Sequence, residues 1–119
     1  MPRLTDFTPA NAFPTVTILS GAATTAEIDL HGGTLLGIQF PASLTNTALK
    51  LKMSPTSGGT FANVQKDEIG GGDYTITVTA SVYVPLINLA IPKGIRFLKI
   101  FGSSNEGADR TLTLAVAPV

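Results

Sequence analysis

The stretch I-R-F-L-K-I-F, residues 95–101, alternates like a β-strand but is apolar on both sides. A strand of a small antiparallel sheet normally turns one face to the core and the other to water. In an extended chain the two faces are Ile95, Phe97, Lys99 and Phe101 on one side, and Arg96, Leu98 and Ile100 on the other. We predict that Arg96, Leu98 and Ile100 form an outer face that something else covers.

Three explanations for this second face remain open. The chain's own segment P-L-I-N-L-A-I-P, residues 85–92, could fold over it. A second subunit or a neighbour in a larger shell could cover it instead, because contiguous apolar surface usually marks an interface. The register of the strand could also be misassigned. In a shell protein, both kinds of cover can occur together.

Similar alternation recurs from Thr15 onward, separated by turns rich in glycine and proline. The clearest case is D-Y-T-I-T-V-T, residues 73–79, where every second residue is threonine. Only residues 41–47 and 85–92, each next to proline, could hold a turn or two of helix. The predicted strands are 15–20, 26–31, 34–40, 48–54, 60–66, 73–79, 95–101 and 110–116.

Eight short strands without crossover helices predict an all-β fold, an antiparallel β-sandwich of the jelly-roll-like kind. A seven-stranded immunoglobulin-like sandwich is the alternative, although the cysteine pair and tryptophan typical of immunoglobulin domains are absent. The predicted core consists of Val16, Ile18, Leu49, Leu51, Tyr74, Ile76, Val78, Leu112 and Leu114.

The composition restricts the classes of function. Charged residues make up 13% of the 119 residues and balance to a net charge of zero, whereas ordinary domains carry about a quarter. Zero net charge argues against binding nucleic acid through bulk electrostatics. No run approaches the roughly 18 apolar residues of a membrane span, and the first residues lack the apolar core of a signal peptide. We therefore predict neither a nucleic-acid partner nor a membrane.

Residues 1–14 contain three prolines and no periodic pattern, which favours an extended N-terminal arm before a sandwich domain at residues 15–119. Such an arm either lies on the surface of its own chain or grips a neighbour. We assign it to the predicted interface together with the outer face described above. The interface residues in the arm are Pro2, Arg3, Leu4, Phe7 and Phe13.

Residues suited to catalysis are scarce. His31 is the only histidine and there is no cysteine, so metal sites and nucleophile–base pairs lack components. The loop K-D-E-I-G-G-G-D, residues 66–73, groups Asp67, Glu68 and Asp73 around glycines. It could be a calcium loop, but a hairpin turn explains it equally well. We predict that the chain is not an enzyme and has no cofactor and no metal site.

Basic and aromatic residues alternate at Arg96, Phe97, Lys99 and Phe101, as they do where single-stranded nucleic acid stacks on a protein. The sequence shows no wider basic surface around them. Packing in a core is therefore the preferred interpretation.

Four segments together resemble small β-sandwich proteins encoded among the structural genes of tailed bacteriophages. They are G-T-L-L-G-I-Q-F-P (33–41), L-K-L-K-M-S-P-T-S-G-G-T-F-A-N-V (49–64), G-I-R-F-L-K-I (94–100) and G-A-D-R-T-L-T-L (107–114). The resemblance covers roughly residues 15–116 and is structural, with no catalytic residue to carry over. The middle of the chain also resembles a discoidin-type jelly roll, a class that binds sugars or lipid headgroups through loops at one end.

The phage resemblance implies a virion component, such as a capsid decoration or cement protein that stabilises the head shell. The expected partners are the major capsid protein or another virion protein, and further copies of the chain in a dimer or trimer. Its location would be the virion, assembled in the host cytoplasm. The alternative is a carbohydrate- or receptor-binding module of a phage tail or fibre, which would need exposed aromatic and polar groups clustered at one loop end.

Overall fold

A computed structural model describes residues 12–86 and 95–118 of the chain. Within these residues the protein is all-β, which confirms the predicted fold class, and each of the eight predicted strands is present in shorter or similar form. A further strand, β7, was not predicted. The strands are β1 Thr15–Ile18, β2 Ile28–Asp29, β3 Thr34–Gln39, β4 Ala48–Ser54, β5 Ala62–Asn63, β6 Thr75–Thr77, β7 Tyr83–Pro85, β8 Phe97–Phe101 and β9 Arg110–Ala117.

The strands form two antiparallel sheets. Sheet A has the order β1-β9-β3-β7, and sheet B has the order β2-β8-β4-β5 with β6 also paired to β4. β5 pairs with Lys52 and Met53, and β6 pairs with 48–50, so the two short strands share one edge of β4. Most consecutive strands alternate between the sheets, and their connections therefore cross at the two ends of the sandwich.

One apolar core fills the space between the sheets. It includes Leu112 and Leu114 from sheet A and Leu49 and Leu51 from sheet B, none of which is exposed at all. Of the nine predicted core residues, six are buried, and the other three pack against the core while partly exposed: Val16, Tyr74 and Val78. Val16 lies within the short strand β1, and Tyr74 and Val78 flank the short strand β6.

The central strand β8 has the opposite orientation to the one predicted. Leu98 and Ile100 are 1% and 0% exposed and belong to the core, so assigning them to an outer face was wrong. Phe97, Lys99 and Phe101 form the outer face instead and are half-buried. The physical reason is that a lysine can lay its aliphatic stem along apolar surface with its charge in water, whereas the core accepts only uncharged side chains.

The segment proposed to cover β8, residues 85–92, is described only for its first two residues. Pro85 ends strand β7 and Leu86 is buried in the core. The remainder of the segment lies outside the described residues. The other possible helical segment, residues 41–47, contains no helix. The described residues also contain no helix that is long and apolar enough to cross a membrane.

Sheet A begins before the predicted boundary between arm and sandwich. Ala12 and Val116 exchange two backbone hydrogen bonds of 2.9 Å, and the Leu114 amide donates to the Pro14 carbonyl at 2.8 Å. Residues 12–14 therefore continue the pairing of β1 with β9, and the predicted arm 1–14 extends too far. The other predicted interface residues of the arm, Pro2, Arg3, Leu4 and Phe7, lie outside the described residues.

Replacing the same residue type at a buried and an exposed position tests this core. Ile100→Ala removes a side chain that is 0% exposed, and should lower the free energy of unfolding by about 2–5 kcal/mol. Ile69→Ala is the matched control, because Ile69 is 88% exposed and its loss should cost less than about 0.5 kcal/mol. Urea denaturation followed by circular dichroism measures both. Equal effects would contradict the assignment of β8 to the core.

Candidate functional site

The only histidine does not lie in a catalytic arrangement. The His31 side chain is 79% exposed, and its Nδ1 atom lies 3.4 Å from Oδ2 of Asp29. The His31 backbone has a positive φ of 52° and its amide donates to Asp29, so the residue forms the turn after β2. Among the described residues, no group of three or more histidine or carboxylate side chains could hold a metal ion.

A cleft of about 350 Å³ lies beside this turn, where the ends of both sheets meet. Its walls are mostly apolar, and its two titratable residues, Asp29 and His31, are the pair just described. No nucleophile lies between them. The cleft is lined by Ala12, Pro14, Asp29, Leu30, His31, Val116 and Pro118.

The carboxylates of the candidate calcium loop contact different partners and do not converge on one point. Oδ1 of Asp67 accepts hydrogen bonds from the Ile69 and Gly71 amides at 3.0 and 3.1 Å, which closes a turn. Asp73 points elsewhere and pairs with Lys50 at 3.2 Å. Glu68 is exposed in the loop between them. The loop is a hairpin that extends from the edge of sheet B, between β5 and β6.

The most elaborate polar arrangement surrounds Glu106, whose side chain is 0% exposed. Its carboxylate accepts hydrogen bonds from the amides of Thr45 and Asn46 at 2.7 and 3.1 Å. It also accepts from Nδ2 of Asn46 at 2.5 Å and from Nε of Arg110 at 3.0 Å. Every acceptor position of a buried carboxylate needs a partner of this kind, because an unpaired one costs several kcal/mol.

Hydrogen bonding decides the charge state of Glu106. Burial alone would raise the pKa of its carboxyl group, but the hydrogen bonds from Thr45, Asn46 and Arg110 outweigh burial and lower the pKa to about 2. Glu106 is therefore a buried anion whose role is to fix the surrounding loops. The sequence analysis missed it, because a single glutamate in a loop has no periodic pattern that would reveal burial.

The outer face of sheet B combines cations with aromatic rings, and we call it the basic–aromatic face. Each of its phenylalanines has a cation over the ring: Lys99 Nζ is 4.6 Å from the Phe61 centroid, Lys52 Nζ is 5.1 Å from that of Phe101, and the Arg96 guanidinium is 5.0 Å from that of Phe97. Such contacts are worth about 0.5–1 kcal/mol at exposed sites. The face comprises Lys50, Lys52, Phe61, Arg96, Phe97, Lys99 and Phe101.

Two cations of this face are neutralised by carboxylates. Arg96, which the sequence analysis assigned to an interface, is exposed and forms a 2.7 Å ion pair with Asp29. This hydrogen bond lowers the pKa of the Asp29 carboxyl and raises the pKa of Arg96. Lys50 pairs with Asp73 at 3.2 Å. The basic surface that the sequence did not reveal is thus assembled from β4 and β8, two strands that are distant in the chain.

The outer face of sheet A has a different chemistry, and we call it the neutral face. The strands of sheet A contain a single charged residue, Arg110, and it is directed to Glu106. Thr17 and Thr111 are hydrogen-bonded across the neutral face at 3.1 Å. The outward-facing residues are Phe13, Thr15, Thr17, Gly37, Gln39, Tyr83, Thr111 and Thr113.

Two aromatic side chains lie at opposite edges of the neutral face. Phe13, a predicted interface residue, is 65% exposed, and Tyr83 is 46% exposed. The Tyr83 ring lies across Gly37, where an added Cβ atom would come within 2.5 Å of the tyrosine hydroxyl. Glycine at position 37 therefore lets Tyr83 lie flat on the sheet.

The two tyrosines do not meet at a loop end, as the carbohydrate-binding alternative requires. Tyr74 is half-buried beside β6, and burial raises the pKa of its hydroxyl. Tyr83 lies in β7 on the other sheet.

Comparison with known proteins finds no matching family model, no matching curated protein and no matching solved structure. The similarity to phage structural proteins stays a prediction from the sequence. The two outer faces are therefore interpreted from their own chemistry.

The buried carboxylate gives a prediction with a defined pH range. Because the pKa of Glu106 falls from its ordinary value of 4.5 to about 2 on folding, its stabilisation is complete above pH 4.5 and is lost as the pH falls through 2. This difference corresponds to about 3 kcal/mol. Glu106→Gln should therefore be less stable than the wild type by about this amount near pH 6, and the deficit should shrink towards pH 2.

Chemical denaturation at a series of pH values measures the deficit. Glu68→Gln is the matched control, because it makes the same change in an exposed loop and should alter stability by less than about 0.5 kcal/mol. A Glu106→Gln deficit that is absent near pH 6 would contradict the role of this carboxylate.

Proposed function

We propose that the chain is a non-enzymatic structural protein of a tailed-phage virion, of the capsid decoration kind, which associates with copies of itself and with the capsid protein. The observation that carries the proposal is the neutral face, an outer sheet surface without a charged side chain. The centre of a protein interface is depleted of charge in the same way.

The exposure of this face supports a role in attachment. A strand surface directed to water usually alternates with lysine and glutamate, because charge keeps sheets from associating. Here threonine occupies these positions, and the aromatic rings of Phe13 and Tyr83 border them at 65% and 46% exposure. A flat surface of small uncharged side chains can be desolvated at low cost when a second protein covers it.

The strand order supports a jelly roll. If β5 and β6 are counted as one interrupted strand, the sandwich has eight strands, four in each sheet, and all successive strands except β4 and β5/β6 alternate between sheets, as in two Greek keys. Jelly rolls of this kind form the domains of many viral capsids. The fold alone assigns no function, and the phage resemblance of the sequence supplies the link to a virion.

The edge strand β1 supports the predicted contribution of the N-terminal arm to the interface. Among the described strands β1 pairs with β9 alone, so it is an edge strand of sheet A within this part of the chain. Residues 12–14 extend this edge next to the neutral face. A neighbour that covers the face would thus also reach the edge and Phe13, as the predicted interface of arm and sandwich requires.

A charge placed on the neutral face tests the proposal. Thr111 is exposed on the neutral face near the start of β9, opposite Thr17 of β1, and Thr111→Glu should weaken self-association by roughly a hundredfold, or about 3 kcal/mol, because it would bury an unpaired carboxylate. The monomer should stay folded. Sedimentation velocity and circular dichroism on one sample measure association and folding.

Thr75→Glu is the matched control, since it makes the same change at an exposed position of sheet B and should leave association unchanged. Co-sedimentation with capsid shells of the same genome then tests attachment to the virion. A wild-type chain that is monomeric and does not bind such shells would contradict the proposal.

A further inference from the structure

Two lysines oppose each other at the centre of the basic–aromatic face. Lys52 in β4 and Lys99 in β8 are direct cross-strand partners. Like charges in this position destabilise a sheet. Within the described residues, neither ammonium has a carboxylate within ion-pair distance, although the flanking cations Lys50 and Arg96 are both paired.

The nearby carboxylate of Glu27 does not neutralise them. The field of Lys99 contributes to lowering the pKa of Glu27, after the larger effects of hydrogen bonds from Gly58 and Ser57. These two donors lie 2.7 and 2.6 Å from the Glu27 oxygens and hold the carboxylate in its own loop. Among the described residues, the two central ammonium groups therefore form no ion pair, whereas the cations that flank them do.

We propose that the basic–aromatic face binds an acidic segment of a partner protein, which places neighbouring carboxylates over Lys52 and Lys99. Lys52 and Lys99 are direct cross-strand partners, so one short acidic segment that crosses β4 and β8 can contact both side chains. Phe61 and Phe101 hold the lysines over their rings at 4.6 and 5.1 Å, which restricts the cations before binding. A bound carboxylate would also remove the repulsion between the two lysines.

Other anionic partners fit this face less well. Bases stack on free aromatic faces, but each of the three rings already has a cation over it. A phosphate backbone or an anionic membrane extends past the two central lysines to Arg96 and Lys50, whose charges Asp29 and Asp73 already neutralise. A short acidic peptide segment needs to contact only Lys52 and Lys99 at the centre of the face. The proposal is independent of attachment through the neutral face.

Fluorescence anisotropy with a labelled tetraglutamate peptide tests, on the intact chain, whether the basic–aromatic face binds an acidic segment. The peptide should bind at low salt, and its tetraglutamine counterpart should not. The double variant Lys52→Gln and Lys99→Gln should lose at least about tenfold in affinity and stay folded, because it removes a repulsive pair. Lys66→Glu is the matched control, because it makes the same change in net charge at an exposed loop position outside the face, and it should lose less than about threefold.

Each alternative result has a defined meaning. Failure of the wild type to bind the peptide overturns the proposal, as does an equal loss in the double variant and in Lys66→Glu, which would show an effect of net charge alone. Tighter binding of single-stranded oligothymidylate or of phosphatidylserine vesicles than of the peptide also overturns it, in favour of a nucleic acid or a membrane.

Discussion

The buried carboxylate of Glu106 is the interaction on which the arrangement of the two sheets depends. Its side chain accepts hydrogen bonds from the loop between β3 and β4, and its backbone bonds to the loop between β1 and β2: the Glu106 amide to the Ala22 carbonyl and the Gly21 amide to the Glu106 carbonyl. Glu106 itself lies in the loop between β8 and β9. All three loops cross from one sheet to the other, so a single residue, through its side chain and its backbone, links three crossings at one end of the sandwich.

Such a network stabilises a fold only when it is complete. Asn46, which is 4% exposed, satisfies its own amide through Ser104: its Nδ2 donates to the Ser104 carbonyl at 2.8 Å and its Oδ1 accepts from the Ser104 amide at 3.0 Å. No described buried side-chain nitrogen or oxygen lacks a partner. The two outer faces of the sandwich differ in their chemistry. One face is neutral and the other is basic and aromatic.

Much of the fold could be predicted from the sequence, because residues such as Leu49, Leu51 and Ile76 alternate with polar neighbours and only one orientation buries them. The orientation of β8 could not be predicted, because Phe97 and Phe101 are as apolar as Leu98 and Ile100. Only the folded sheet, which places Lys52 and Phe61 beside the outer face, shows that Lys99 belongs on that face. Strand β7 was not predicted, because three residues that end in proline are too few to show an alternating pattern. The two faces could not be predicted, because each is assembled from strands distant in the chain.

Hydrogen–deuterium exchange, compared between dilute and concentrated protein, tests most directly whether the neutral face is the surface of assembly. The account predicts additional protection at high concentration in residues 12–18 and 83–85, the two edges of sheet A, and unchanged exchange in residues 61–63 and 97–101 of sheet B. Additional protection confined to sheet B, or none in either sheet, would contradict it.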